Sequence, residues 1–475
     1  MDFSNLWSAI NIDIAKLEWF AATQFAAILG TLLALLLVAH ILRSPRMPAA
    51  SIGWIIAIIA MPLIGIPLYL TFGERKLRSK INRKAKINTA CDCKCTTNDP
   101  IDTILTSLGL PASTTHNNVA FHKDGPDALS DLLAMFAAAE ETIDIAMFIL
   151  RKDATGLAIL ESLAERARAG VKVRLLLDGV GSFSLFKGWL RPAMDAGVEI
   201  AWFIPVLHHP FRGKTNLRNH RKIVIVDNRV LWTGGRNFAD EYFVGENGDK
   251  PWIDLSYRLE GTAVDVFKAI FETDWEFAYG RDVILPLEPP PEIETSGSRV
   301  QVIPSGPDVE GDPLYAAFLT ACFDADERII IVTPYFIPDH GVQEALKLAA
   351  LRGVRVDLIL PEHSNHRIAD IARRRFLREL LESHVNIWMV PEQMVHAKAM
   401  VVDRHFATAG SANLDIRSLF LNCEVVNGFY SETEVNWLTD WCEALRLTAK
   451  PYTPRKVGAV GQTLEGLVLI GGYQL

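Results

Sequence analysis

Cysteine is scarce in this chain and badly placed for cross-linking. Of the six cysteines, Cys91, Cys93 and Cys95 crowd into one C-x-C-x-C run, while Cys322, Cys423 and Cys442 lie far apart. This excludes the disulfide framework of a small secreted domain. The run has no partner pair at zinc-finger spacing. It reads as a reduced stretch of linker, with metal binding or acylation beside a membrane as the alternative. An excess of positive charge is also missing. The formal net charge is −8 over 475 residues, which argues against a protein that wraps a nucleic-acid backbone. No charged n-region precedes the first apolar run, and that run is too long for a cleaved signal peptide.

Charge is absent altogether from two stretches, Trp19 to Leu42 and Met47 to Gly73. Each exceeds the roughly 20 apolar residues that cross a bilayer. The polar turn Arg43-Ser44-Pro45-Arg46 lies between them. Together they read as a membrane anchor over residues 1–74, a transmembrane helical hairpin with spans at about 19–42 and 48–72. Pro62 and Pro67 weaken the second span as a straight helix and leave a re-entrant segment open. Arg75, Lys76, Arg78, Lys80, Arg83, Lys84 and Lys86 follow it. That bias predicts a cytoplasmic C-terminal part. The same cluster suits anionic headgroups.

Residues 75–117 read as a basic, Cys-containing linker, and beyond them the chain repeats itself. Glu141-Thr-Ile-Asp-Ile-Ala-Met-Phe-Ile149 reads as a strand, Gly156 to Ala169 as a helix, and Val171 to Asp178 as a second strand. The same succession returns in Glu327 to Tyr335, Gly341 to Leu351 and Val354 to Leu360. Strand, helix, glycine, strand is a βαβ signature. The expected fold is α/β: two pseudo-symmetric halves, 118–290 and 291–455, packed face to face, with a tail at 456–475.

The strongest pattern recurs at the equivalent point of each half. His220-Arg-Lys222 runs into Ile-Val-Ile-Val and Asp227, then Gly234-Gly235-Arg-Asn237. His396-Ala-Lys398 runs into Ala-Met-Val-Val and Asp403, then Gly410-Ser411-Ala-Asn413. Both copies are H-x-K-x4-D-x6-G-[GS]-x-N. A lone histidine at a strand end is more often a satisfied polar group than a catalyst, but two complete copies argue otherwise. His and Lys, two apart on a strand, face the same side. If the halves pack together, two His, two Lys and two Asn converge. That set suits phosphodiester chemistry without a metal or other cofactor. One imidazole attacks phosphorus and holds a covalent intermediate. The other protonates the leaving alkoxide and deprotonates the incoming alcohol. The lysines and asparagines stabilise charge on the phosphoryl oxygens, each donor worth roughly 3–4 kcal/mol of barrier in a dry site.

These motifs resemble those of the phospholipase D superfamily, over about residues 118–450. The resemblance implies that His220 is the nucleophile and His396 the general acid/base, and that Asp227 and Asp403 are mainly structural. It also implies a further acid in each half that orients the histidine ring, and Asp254 and Glu424 stand at matching places, with plain salt bridging as their alternative. Ser411 is a supporting residue. Within the superfamily the chain resembles bacterial cardiolipin synthases. The resemblance is carried by Asn413-Leu-Asp415-Ile-Arg417-Ser418-Leu-Phe-Leu-Asn422-Cys423-Glu424, Asn216-Leu-Arg218-Asn219-His220-Arg221-Lys222, Asp240-Glu241-Tyr242, Thr333-Pro334-Tyr335-Phe336-Ile337-Pro338 and Gly73-Glu74-Arg75. Cys423 departs from the pattern, standing where an aromatic is common, and the tail after Pro454 matches nothing familiar.

This second resemblance implies a multi-pass enzyme of the bacterial inner membrane. It would condense two phosphatidylglycerols into cardiolipin with release of glycerol, with phospholipid rather than nucleic acid as its partner. A hydrolytic phospholipase D, or transfer from a donor such as phosphatidylethanolamine, uses the same residues. A nuclease is disfavoured by the acidic charge and the anchor, and an inactive scaffold by two intact motifs. Phe183, Leu185, Phe186, Trp189 and the stretch from Trp202 to Pro210 read either as buried core or as an apolar wall that excludes water. Arg373, Arg374, Arg375 and Arg378 lie on a helical stretch, on a solvated face or against headgroups.

Overall fold

Four consecutive apolar residues after each His-x-Lys suit a strand covered on both faces. In the computed structural model, which describes residues 3–43, 48–73, 99–185, 187–205, 217–246, 248–281, 297–455 and 457–470, both runs are fully buried strands. The first half contributes β1 (Thr114–Phe121), β2 (Thr142–Met147), β3 (Lys172–Asp178), β4 (Glu199–Phe203), β5 (Ile223–Val226), β6 (Val230–Gly234) and β7 (Ser256–Gly261). The second contributes β8 (Ser298–Ser305), β9 (Arg328–Val332), β10 (Phe336–Ile337), β11 (Arg355–Pro361), β12 (Asn386–Val390), β13 (Ala399–Val402), β14 (Phe406–Gly410), β15 (Leu414–Asp415), β16 (Glu424–Phe429) and β17 (Lys450–Pro451).

Fifteen of these form one sheet, in the order β17-β12-β11-β9-β13-β14-β16-β8-β1-β7-β6-β5-β2-β3-β4. Read outward from its middle, the sheet repeats. The series β8, β16, β14, β13, β9, β11, β12 matches β1, β7, β6, β5, β2, β3, β4. The halves meet edge to edge where β1 pairs antiparallel with β8, with a shift of register between Thr114 and Asn117. This edge pairing adds to the facing contact expected from the sequence. One face of each half also feeds a common apolar cluster, which holds Ile225 and Leu231 together with Val401 and Ala407. Within it the Tyr257 hydroxyl donates to the Ala409 carbonyl at 3.0 Å and accepts from Asn427 Nδ2 at 3.0 Å.

The stretch read as a linker is partly structured. Asp99 caps the helix Pro100–Ser107, its carboxylate accepting from the N–H groups of Ile101 and Asp102, and proline occupies the first helical position. Ile101, Leu105 and Leu110 join the core of the second half beside Phe318 and Ala321. Buried Asp102 accepts from Arg299 and Gln301. Residues 99–113 thus fold onto β8 and its neighbours. The basic run Arg75 to Lys86 and Cys91, Cys93 and Cys95 lie outside the described residues, as does the turn Ser44 to Arg46.

The N-terminal segment forms α1 (Phe3–Arg43), α2 (Pro48–Ala60) and α3 (Pro62–Phe72). Among the described residues one stretch, Lys16–Arg43 of α1, is long and apolar enough to cross a membrane. The second apolar stretch is not the continuous span expected. Met61 leaves the helical region, at φ −138° and ψ 67°, because the ring of the following proline disfavours helix there. Ile41, Ile58, Ile66 and Tyr69 pack the three helices together.

Candidate active site

Each histidine stands three residues before its strand, where the chain bridges to a segment of the opposite half. The His220 N–H donates to the Cys423 carbonyl at 2.9 Å, and the Cys423 N–H to the Arg218 carbonyl at 2.8 Å. In the mirror position the His396 N–H donates to the Ile253 carbonyl at 2.7 Å, and the Ile253 N–H to the Met394 carbonyl at 2.9 Å. Cys423 and Ile253 immediately precede Glu424 and Asp254. As a result the carboxylates are exchanged. His220 Nδ1 lies 2.9 Å from Glu424 Oε2, and His396 Nδ1 lies 2.6 Å from Asp254 Oδ2. Both acids stand at the matching places read from the sequence, each serving the other half's ring. A carboxylate at Nδ1 fixes the proton there and leaves Nε2 as the free nitrogen.

Glu424 is held from two further directions. Ser411 donates its hydroxyl to Glu424 Oε2 at 2.5 Å. Arg221 Nε donates to the Glu424 carbonyl at 3.1 Å. The Arg221 guanidinium is itself clamped by Asp274, at 2.7 and 2.8 Å, and by Asp308 at 3.2 and 3.3 Å. Gly235 occupies the place equivalent to Ser411. A Cβ there would meet Asp254 Oδ1 at 2.2 Å, so the shorter acid of this half fills the space that a side chain takes in the other.

The lysines lie beside their histidines. Lys222 Nζ donates to the His220 carbonyl at 2.8 Å. Lys398 Nζ donates to the His396 carbonyl and lies 2.7 Å from its Nδ1 and 3.1 Å from its Nε2. Burial of these groups, with two cations in one place, governs their protonation. Burial and the two lysines lower His220 to about 4 against the pull of Glu424. Burial and Lys398 lower His396 to about 3. Burial brings Lys222 down to about 7 and Lys398 to about 8. Burial would raise Asp254, but Lys398 and His396 outweigh it and hold the carboxyl at about 2. Lys398 acts on His220, and Lys222 on His396, so the two motifs share one electrostatic site.

Asn237 donates Nδ2 to the Tyr242 hydroxyl at 2.8 Å and accepts from the Ile149 N–H at 3.3 Å. Asn413 is buried, and its Oδ1 has no hydrogen-bond partner. Aromatic side chains flank the imidazoles: Phe148 lies 4.8 Å from His220, and Tyr242 and Trp252 lie 5.1 and 5.6 Å from His396. Phe148 and Trp252 were not singled out in the sequence. Phe148 directly follows β2, and that position next to a motif-bearing strand was the available signal. Of the aromatic wall, Leu185 is buried but Phe183 is 71% exposed. Phe186 and the stretch from residue 206 to 210 lie outside the described residues.

Asp227 and Asp403 do not join this cluster. Each lies five residues of extended chain beyond its lysine, roughly 16 Å. Asp227 accepts from the N–H groups of Glu140, Glu141 and Thr142 at 2.7–2.9 Å. Asp403 does the same for Asp326, Glu327 and Arg328 at 2.7–2.9 Å. Both have φ of 50°. They tie the turn after the motif strand to the start of the neighbouring one, as structural residues.

Two interlocked His-x-Lys motifs on a repeated α/β sheet define a phospholipase D-type enzyme. A family profile described as "Cardiolipin synthase, PLD-like domain" matches residues 132–275 and 319–446, and one described as "Phospholipase_D-nuclease N-terminal" matches residues 32–74. Cardiolipin synthase A of Klebsiella pneumoniae is 32% identical over 412 residues, covering 81% of this chain and 84% of that protein. Cardiolipin synthase of Geobacillus kaustophilus is 31% identical over 451 residues, covering 89% and 90%. The fold is similar to that of a phosphatidylserine synthase from Haemophilus influenzae, with a TM-score of 0.59 at 13% identity over 79% of this chain and all of that one. The chain belongs to the cardiolipin synthase family, and it is a phosphatidyltransferase of the phospholipase D type.

Proposed function

We propose that the enzyme transfers a phosphatidyl group from one phosphatidylglycerol to another through a phosphohistidine, with His220 as nucleophile and His396 as general acid/base. The observation that carries this is the pair of buried rings, each with Nδ1 on a carboxylate of the opposite half. His220 Nε2 attacks the donor phosphorus and forms the N–P bond. The bond from phosphorus to the headgroup oxygen breaks, and His396 gives that oxygen a proton, so glycerol leaves. The acceptor's headgroup hydroxyl then loses its proton to His396 and attacks phosphorus, and the N–P bond breaks. One phosphodiester replaces another, so no energy source is needed. In the free enzyme burial and the neighbouring lysine hold His396 well below the usual imidazole range. The negative charge of an arriving phosphodiester offsets that lysine and raises the ring's hold on a proton.

Lys222, Lys398, Asn237 and Asn413 stabilise the phosphoryl oxygens. Ser411 positions Glu424. Because cationic side chains supply that charge, a chelator such as EDTA is expected to leave the rate unchanged. The second apolar segment enters the bilayer with the first, and the basic residues after it place the catalytic part in the bacterial cytoplasm. Labelling of single cysteines placed on either side of the segment in intact cells tests that topology.

The decisive experiment is mass analysis of the lipids formed by the purified full chain on phosphatidylglycerol vesicles. Cardiolipin and glycerol in equal amounts are expected, whereas phosphatidic acid as the product would mean hydrolysis. His220→Ala is expected to abolish the phosphoenzyme. Full activity in that variant rejects the mechanism.

A further inference from the structure

Positive charge gathers a second time around a cavity of about 360 Å³ in the second half. One wall is a face of the helix Arg367–Glu382, on which Asp370, Arg373, Arg374 and Arg378 recur at helical spacing. The facing wall carries Lys450, Tyr452 and Arg455. The five cations meet three carboxylates: Glu362 and Asp370 in the cavity, and Glu465, which pairs with Arg378. The balance is positive.

Arg373 forms the buried part of this wall, with 4% of its surface exposed. Its Nη2 donates to the Glu362 carbonyl at 2.9 Å and lies 3.0 Å from Asp370 Oδ1. Its Nη1 has no hydrogen-bond partner. A buried guanidinium with an unspent donor is costly unless an acceptor arrives.

The place in the fold is equally informative. β9, β11 and β12 are parallel, and Glu362 follows the last residue of β11, so the cavity opens at their carboxyl ends. Open α/β sheets bind ligands at that edge. β13, which His396 and Lys398 precede, runs antiparallel to β9 and starts opposite its last residue, Val332. The catalytic histidine therefore lies on the same edge, three strands from β12, or roughly 15 Å.

We infer that the cavity is a second anion site, which takes the phosphate ester of an anionic lipid headgroup on Arg373, Arg374, Lys450 and Arg455. The anion chemistry rests on the cavity alone, and the lipid source rests on the phospholipid substrates proposed above. The test uses the full chain in detergent micelles, carrying His220→Ala so that nothing turns over. Binding of dihexanoylphosphatidylglycerol and of inorganic phosphate is measured separately by equilibrium dialysis. The parent binds at least two equivalents of the lipid, one of them in the cavity. Adding Arg374→Glu and Arg455→Glu, both at exposed positions, removes one of them, with affinity there falling at least about ten-fold. Arg374→Lys with Arg455→Lys retains it. A glutamate variant that binds as many equivalents as the parent overturns the proposal. So does inorganic phosphate that displaces the second equivalent at the lipid's own concentration, since the site would then belong to free phosphate. Whether unaltered enzyme makes cardiolipin is read independently, so failure here leaves that result intact.

Discussion

Gly235 and Ser411 are equivalent by position and opposite in effect. Ser411 adds a donor to the longer acid, Glu424, while Gly235 yields its space to the shorter one, Asp254. Gly235→Ala is therefore expected to push Asp254 away from His396 and cut kcat by about a hundred-fold or more, with an unchanged circular dichroism spectrum. Ser411→Ala loses one hydrogen bond to a buried carboxylate, worth about 1–3 kcal/mol, and kcat is expected to fall about ten-fold. Serine at position 411 was legible as part of a repeated motif. Its bond to Glu424 was not, because the spacing along the chain does not say how a loop returns.

The same residues set the pH dependence. His220, lowered to about 4, is unprotonated above that value, as the proposed nucleophile must be. In the proposed mechanism Lys222 and Lys398, lowered to about 7 and 8, hold phosphoryl charge only while protonated, below those values. The profile of kcat/KM, which reports the free enzyme, is expected to fall as pH rises through 7 and 8. The profile of kcat is expected to fall later, since bound phosphodiester raises both lysines. Coincident basic limbs in the two profiles count against the lysine roles.

At the scale of elements, the motif aspartates join strands. Asp403→Ala removes the acceptor for three N–H groups and places alanine at φ 50°. A loss of about 2 kcal/mol is expected in urea unfolding, with kcat of the folded fraction preserved. Asp403→Asn is expected to cost less, since asparagine tolerates that backbone region. Strands β5 and β13 were legible because four apolar residues sit between fixed motif positions. The helix Pro100–Ser107 was passed over as linker, although Asp99 followed by Pro100 is a readable start signal. Its apolar residues were too few to reveal that they join another half's core. The break at Met61 was foreshadowed by Pro62, and the packing of α2 and α3 against α1 was not.

At the scale of the molecule, the carboxylates that meet the histidines cross between halves over 204 and 142 residues of chain. The duplication was plain in the sequence. The exchange was not, since each acid has the same spacing to the histidine of its own half whichever ring it serves. One continuous sheet and a shared apolar cluster join the halves. Residues from 99 to 455 are therefore expected to melt in one cooperative transition, by calorimetry and by near-ultraviolet dichroism alike. Two resolved transitions would show that the halves fold independently.

The exchanged carboxylates carry an evolutionary consequence. A gene encoding a single copy would yield a polypeptide whose imidazole is unsupported until a twin docks reciprocally, so its turnover would depend on dilution. Fusion into one reading frame makes that encounter intramolecular and frees the duplicates from having to be identical. Glycine with aspartate on one side, and serine with glutamate on the other, are what such freed duplicates can become.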